Sequence, residues 1–187
     1  MAERALPRLH LVTDDELLAR PGFIAAAREL LGIGGASVGL QLRGPRTSAR
    51  RLHELTEALL PAARDAGALL LVNDRVDVAL AAGADGVQLG ARGMRPADAR
   101  ELLGPEARLG LSVHASAEVV DREVLDFLVV GTLFPTPSHP GRMGAGPALL
   151  RNFADTGLTR IAIGGVTPER VAELRAAGAE GVAVLGG

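Results

Sequence analysis

Residues 69–90, LLLVNDRVDVALAAGADGVQLG, decide the fold, because they hold one complete strand–helix–strand unit. Branched apolar residues fill the runs 68–73 and 86–90, and the Ala/Leu-rich segment between them ends at Gly83, a typical helix stop. Two strands that are joined through a helix run parallel in one sheet. The stretch therefore predicts a parallel α/β architecture.

Similar apolar runs recur along the whole chain and predict eight strands. Segments with helical spacing lie between most of them; Leu52, Leu55 and Leu59, for example, form one apolar stripe, and Gly67 follows as a stop. Eight such strands favour a closed (β/α)8 barrel, the TIM barrel, in one compact domain over residues 1–187. The predicted strands are 9–13, 38–43, 68–73, 86–90, 108–113, 127–131, 160–165 and 181–186.

The final helix of such a barrel is missing from the pattern, because the last predicted strand is followed only by Gly187. One outer face of the barrel would then be uncovered. Either a partner subunit covers that face, as a second copy would in a homodimer, or the sequence lacks a tail.

The composition excludes several classes of protein. The formal net charge of −2 argues against nucleic acid and anionic membranes as partners. No apolar run approaches the roughly 18 residues of a membrane span, and the charged first ten residues do not fit a secretory signal. All 20 basic residues are arginine, so Schiff-base chemistry on lysine is excluded, and the chain has no cysteine. We expect a soluble, cytoplasmic protein.

Polar side chains gather late in the predicted strands, at the carboxyl-terminal rim where barrel enzymes bind their substrates. Strand residues alternate between two faces, and parity puts these polar residues on the inward face. His114 ends its strand there and is the candidate proton carrier. A lone histidine at a strand end is often a hydrogen-bonded cap, but the convergence of polar residues favours a ligand site. The predicted substrate contacts are Gln41, Arg43, Asn73, Asp74, Gln88, Ser112 and Thr136.

Glycines follow the last two predicted strands, and they suggest a phosphate site. Backbone amides in glycine turns near a helix start can cradle phosphate, and the loops after strands 7 and 8 of barrels often do so. The alternative is that these glycines only form tight turns. The predicted phosphate-binding residues are Gly164, Gly165, Leu185 and Gly186. A long Pro/Gly-rich loop, residues 131–146, is expected at the same rim as a lid or binding loop, although 139–146 could equally be a disordered connector.

A metal site held by the protein is not expected. Asn73 and Asp74 could bind a hydroxyl, an amine or a metal, but the loop after the fourth strand offers no second acid. A divalent ion usually needs more than one carboxylate together with substrate phosphate.

The chain resembles the thiamine phosphate synthase/TenI superfamily over nearly its whole length. The resemblance rests on six motifs that occur in the family's order: LHLVTDD, LQLRGP, LLVNDRVDVALAAGADGVQLG, LGLSVHAS, VVGTLFPTPS and IAIGGVTPERV with AGAEGVAVLGG. It implies a compact (β/α)8 barrel. The synthase branch joins an aminopyrimidine diphosphate to a thiazole phosphate with Mg²⁺, whereas TenI is a thiazole tautomerase that needs no metal.

The synthase pattern is kept at most matching positions and departs at three. The resemblance keeps Gln41, Arg43, Asn73, Asp74, Ser112 and Thr136. One synthase lysine falls on Pro45, the second metal aspartate falls on Gly93, and the lysine of the long loop falls on His139. A site without these groups would hold a diphosphate and its Mg²⁺ poorly.

The TenI motif Ser112–Val113–His114 is intact, and the histidine carries the proton in that branch. The sequence interpretation is therefore a TenI-like thiazole tautomerase, an isomerase with His114 as acid and base, a phosphorylated thiazole as substrate and no cofactor. Two alternatives stay open. One is thiamine phosphate synthase, a transferase for which Asp74 would bind Mg²⁺, and the other is a non-catalytic sensor of a phosphorylated ligand.

Overall fold

The computed structural model describes residues 5–90, 92–136, 141 and 143–185, and it contains a closed barrel of eight parallel strands. Each strand pairs with its neighbours in sequence, and β8 pairs with β1 to close the barrel. The predicted TIM barrel is confirmed, with every strand within two residues of its predicted bounds. The strands are β1 Leu9–Val12, β2 Val38–Leu42, β3 Leu69–Asn73, β4 Gly86–Leu89, β5 Arg108–Val113, β6 Phe127–Val130, β7 Thr159–Ile163 and β8 Gly181–Leu185.

The outer layer is less regular than the barrel. Short 3-10 segments, Ser116–Glu118, Arg122–Val124 and Pro147–Thr156, replace α-helices between β5 and β7, and another, Pro168–Arg170, precedes the last helix. Over the described residues, no helix is long and apolar enough to cross a bilayer. The α-helices are α1 Asp15–Ala19, α2 Phe23–Gly34, α3 Ala49–Ala66, α4 Val76–Ala82, α5 Pro96–Leu103 and α6 Val171–Ala176.

The described residues end at Leu185, the last residue of β8, and the missing final helix stays a prediction. Outward-facing apolar side chains of β1 and β8 are only partly buried, among them Leu9, Leu11, Val182 and Val184. Coverage of these side chains by a partner subunit or by a tail stays a prediction.

Apolar side chains form two separate layers, which follows from the period of two in the strands. The larger layer packs between the strands and the helices, and it includes the α3 stripe Leu52, Leu55 and Leu59. The smaller layer fills the barrel interior and contains Val12, Leu69, Leu71, Phe127, Val129, Ile161 and Ala183.

The barrel interior accommodates the ring of Phe127 because a glycine faces it. Phe127 is fully buried, and its ring lies 5.4 Å from that of His10. A Cβ on Gly110 would come within 2.4 Å of the Phe127 ring, whereas one on Gly39 would be in ordinary contact with the His10 ring at 3.6 Å. Gly110 leaves the space that the Phe127 ring fills, so a chain with 2% aromatic residues still closes its barrel floor.

His10 is a buried neutral imidazole and should make the fold sensitive to acid. Its Nε2 lies 3.0 Å from the Pro7 carbonyl, so Nε2 carries the proton, while Nδ1 is buried without a partner. Burial lowers the pKa of His10 to about 4, against the opposing effect of the Pro7 carbonyl.

We expect stability to fall as the pH drops below 6.5, because the unfolded chain then binds a proton that the folded chain refuses until about pH 4. The free energy of unfolding should fall by about 2 kcal/mol from pH 7 to pH 5 through this group alone. Urea titrations of the wild type and His10→Leu would measure it. Equal losses in the two proteins would contradict the assignment.

Candidate active site

A cavity of about 1350 Å³ opens at the carboxyl end of the barrel. Its walls come from the ends of β2 to β8 and from the loops that follow them. Most of the predicted site residues line it. Those are Arg43, Asn73, Asp74, Ser112, His114, Thr136, Gly164, Gly165 and Leu185. Predicted Gly186 lies outside the described residues, as do His139 and most of the segment 137–142.

A chain of hydrogen bonds runs along one wall of this cavity. The Gln41 amide donates to Asn73 Oδ1 at 2.6 Å, and the Asn73 amide donates to Asp74 Oδ2 at 2.7 Å. The Gly90 amide donates to Asp74 Oδ1 at 2.6 Å. Asp74 has a φ of 58°, in the left-handed region that aspartate tolerates better than most residues. The chain of bonds therefore locks the Asn73 amide and the Asp74 carboxylate in one orientation.

Gln41 and Gln88 do not line the cavity, which corrects their prediction as substrate contacts. They are 4% and 1% exposed and lie one layer deeper, because parity gives the face of a strand residue but not its depth. Gln41 supports Asn73, and the Gln88 amide donates to Ser112 Oγ at 3.0 Å. Both act as supports for the residues above them.

His114 stands at the mouth of the cavity and is held by Glu118. The His114 backbone amide donates to Glu118 Oε2 at 2.6 Å, and the ring Nδ1 lies 3.4 Å from the same oxygen. That backbone bond lowers the pKa of Glu118, so the carboxylate stays charged beside the ring. The imidazole is about half exposed and lines the cavity. Sequence reasoning missed Glu118, although a glutamate four residues after a strand-end histidine was a readable signal.

The turn after β7 can exist only with glycine. Gly164 and Gly165 have φ of 98° and 61°, and a Cβ on either would come within 2.6 Å of the loop after β6. The Leu133 and Phe134 amides donate to the Ile163 and Gly164 carbonyls at 3.0 Å, which holds this loop against the turn. No described residue accepts a hydrogen bond from the amides of Gly164 or Gly165. Two backbone donors are thus available at the cavity wall.

Two arginines that the sequence analysis did not single out also line the cavity. Arg170 donates through Nη1 to the Gly165 carbonyl and stacks 4.2 Å above the Phe134 ring. Arg92 is exposed in the loop after β4. Strand periodicity does not extend to residues outside the strands, so no pattern pointed to these two arginines.

The donor set fits a resident Mg²⁺ poorly. Asp74 is the only carboxylate among the described residues that line the cavity, and each of its oxygens already accepts a hydrogen bond. The described residues form no cluster of three or more metal-binding side chains. Mg²⁺ sites usually combine one or two carboxylates with substrate phosphates, and here the one carboxylate is already engaged by two N–H donors.

A second cavity, of about 790 Å³, lies at the amino-terminal end of the barrel. Arg8, Arg108, Asp126 and Arg175 are among its lining residues. The two cavities lie at opposite ends of the strands, so a ligand in one is distinguishable from a ligand in the other.

The family described as thiamine monophosphate synthase (TMP-TENI) matches residues 9–187. The chain belongs to this family. A thiamine-phosphate synthase from Xanthobacter autotrophicus is 43% identical over 95% of this chain and 85% of its own length. One from Laribacter hongkongensis is 39% identical over the same shares of the two chains. The solved thiamine phosphate pyrophosphorylase from Pyrococcus furiosus has 33% identity and a TM-score of 0.79, covering 97% of this chain and 87% of that one.

These relatives overturn the tautomerase interpretation. They carry the name of the synthase, a transferase, at high coverage, and nothing in the comparison supports an isomerase of the TenI branch. The motif Ser112–Val113–His114 was given too much weight, as were the departures at Pro45, Gly93 and His139. These few positions do not outweigh similarity over the whole barrel.

Proposed function

We propose that this protein is a thiamine-phosphate synthase, which joins an aminopyrimidine diphosphate to a thiazole phosphate and releases diphosphate. The observation that carries the proposal is a single large cavity whose described walls combine free backbone amides, three arginines and a fixed amide–carboxylate pair. Two phosphorylated substrates need anion-binding groups at separate points of one cavity. Relatives of this chain are also named for the synthase activity.

The glycine turn after β7 is the proposed site for the thiazole phosphate. The amides of Gly164 and Gly165, which donate to no described residue, would donate to its oxygens, as backbone nests do for phosphate elsewhere. Arg170 is fixed to this turn and would add a charge-assisted bond. Leu185 of β8 borders the same region of the cavity.

The fixed pair on β3 is the proposed site for the aminopyrimidine. Asp74 would accept a hydrogen bond from the exocyclic amine of the aminopyrimidine. Ser112 and Thr136, which line the same cavity, would also contact the substrates. The bond that forms joins the thiazole nitrogen to the carbon that carries the diphosphate. The carbon–oxygen bond breaks at the same centre, and its electron pair leaves with the diphosphate. Arg43 would stabilise that leaving charge, and His114 would contact it at the mouth.

Incubation of the purified protein with both substrates tests the proposal. Thiamine phosphate and diphosphate should appear in equal amounts, well beyond one equivalent of enzyme, by chromatography and mass spectrometry. Product at background level with and without Mg²⁺ would refute the proposal. A cytoplasmic location and assembly as a homodimer stay predictions of this proposal.

Asn73→Leu should lower kcat/KM for coupling by roughly tenfold to a hundredfold. The substitution removes the amide that fixes the Asp74 carboxylate and leaves the buried Gln41 amide without its partner. A small displacement of a group that positions substrate can cost about 100-fold in rate. Asn73→Leu and the matched substitution Asn152→Leu, in the exposed 3-10 segment, would be compared by steady-state kinetics. Equal kinetics in the two variants would remove Asn73 from the site.

A further inference from the structure

Among the described residues that line the cavity, Asp74 is the one acid, and the position beside it is a glycine. A Cβ built on Gly93 would lie 2.8 Å from Asp74 Oδ1 and 3.1 Å from the Gly90 carbonyl oxygen. The φ of Gly93 is not positive, so its backbone conformation is open to other residues, but any side chain here would displace the Asp74 carboxylate. After that shift, a carboxylate at this position would stand beside Asp74 as a second acid. This chain has no side chain at the position.

The same cavity carries an excess of positive charge. Among the described residues that line it, Arg43, Arg92 and Arg170 stand against one carboxylate, that of Asp74. The guanidinium groups of Arg43 and Arg92 make no hydrogen bond or ion pair within the described part of the chain, and Arg43 bonds only through its backbone. Arg170 donates one N–H to the Gly165 carbonyl, and its guanidinium group has further N–H donors. Guanidinium groups bind phosphate oxygens through paired N–H donors and carry their charge at every working pH.

We infer that this cavity binds the diphosphate group with its own arginines and needs no resident Mg²⁺ to do so. The inference rests on the proposed function for the identity of the diphosphate. The absence of an acid at position 93 and the presence of Arg43, Arg92 and Arg170 have the same electrostatic effect. Both strengthen the binding of an anion without its metal ion and weaken the binding of a cation.

Calorimetric titration with inorganic pyrophosphate tests this directly, in EDTA and again in millimolar Mg²⁺. The wild type should bind pyrophosphate in EDTA, and Mg²⁺ should change the dissociation constant less than about threefold. Arg92→Gln should weaken binding about tenfold, the loss expected for one charge-assisted contact. Arg64→Gln, an exposed arginine in the last turn of α3, removes the same charge elsewhere and should leave binding unchanged.

Gly93→Asp supplies the converse test. The added carboxylate should weaken pyrophosphate binding in EDTA at least tenfold and make Mg²⁺ restore it. Titration of Mg²⁺ alone should show binding only in this variant. Gly93→Asn separates charge from bulk, because it displaces Asp74 in the same way without adding a charge. Its binding in EDTA should be weakened less than that of Gly93→Asp.

Pyrophosphate binding that requires Mg²⁺ in the wild type would overturn the inference, even if coupling proceeds and the proposed function stands. Binding in EDTA without any coupling would do the reverse. It would uphold the arginine site and refute the synthase. The two failures are therefore distinguishable.

Discussion

Gly165→Ala should lower kcat/KM for coupling at least about 100-fold, the largest effect that we expect on activity. The new Cβ would lie 2.6 Å from the Pro135 carbonyl oxygen and 2.8 Å from Phe134 Cβ. Either the turn or the loop after β6 must move, and both carry groups of the proposed phosphate site. A hydrogen bond to a charged group contributes about 1.5–3 kcal/mol, and two such donors would be displaced here. Steady-state kinetics with varied thiazole phosphate would show most of the loss as a raised KM.

Gly157→Ala is the matched control for this prediction. Gly157 has a φ of 71°, close to the 61° of Gly165, but nothing lies within 4 Å of its Cβ position. Both variants pay for a left-handed alanine, about 1 kcal/mol of stability, while only one disturbs the site. Equal activities, measured where both proteins are folded, would show that the turn does not hold phosphate.

Phe127→Ala should cost about 4 kcal/mol of unfolding free energy, the largest effect that we expect on stability. The ring is fully buried in the barrel interior and contacts His10, and removal of a buried phenylalanine leaves a cavity that a closed barrel cannot collapse. Urea unfolding would measure the change. Phe23→Ala, at the partly exposed start of α2, should cost much less.

Gly110→Ala turns this into a test of packing. Alone it should destabilise the protein by about 1–3 kcal/mol, because its Cβ would meet the Phe127 ring and Gln88 Oε1. In the Phe127→Ala background the contact with the ring is gone, and only the contact with Gln88 Oε1 remains. The double variant should therefore be more stable than the sum of the single losses predicts. Strict additivity would show that Gly110 does not make room for the ring.

The barrel was predictable because its signals are local and repeated. Period-two alternation marks a strand wherever one face is buried, and glycine stops such as Gly67 and Gly83 recur at helix ends with φ near +70°. The rim location of the site followed from the same periodicity, since Asn73, Ser112 and His114 all fall at strand ends. These features need no knowledge of distant contacts.

Depth and loop geometry were not predictable from the same signals. Parity assigned Gln41 and Gln88 to the inner face, but only the stagger of neighbouring strands puts them below the cavity wall. Arg92 and Arg170 lie outside the strands, where no period operates. The reaction was misjudged for a related reason. Missing ligands at Pro45 and Gly93 were interpreted as a change of chemistry, while arginines elsewhere on the wall could carry the anion.

A crystal structure with thiamine phosphate bound would test the central claim most directly. We predict the phosphate at the carboxyl end of the barrel, with oxygens within hydrogen-bond distance of the amides of Gly164 and Gly165. The ring that derives from the aminopyrimidine should lie against Asn73 and Asp74. Thiamine phosphate in the opposite cavity, beside Arg8 and Arg175, would contradict the site, the proposed function and the arrangement of charges argued from it.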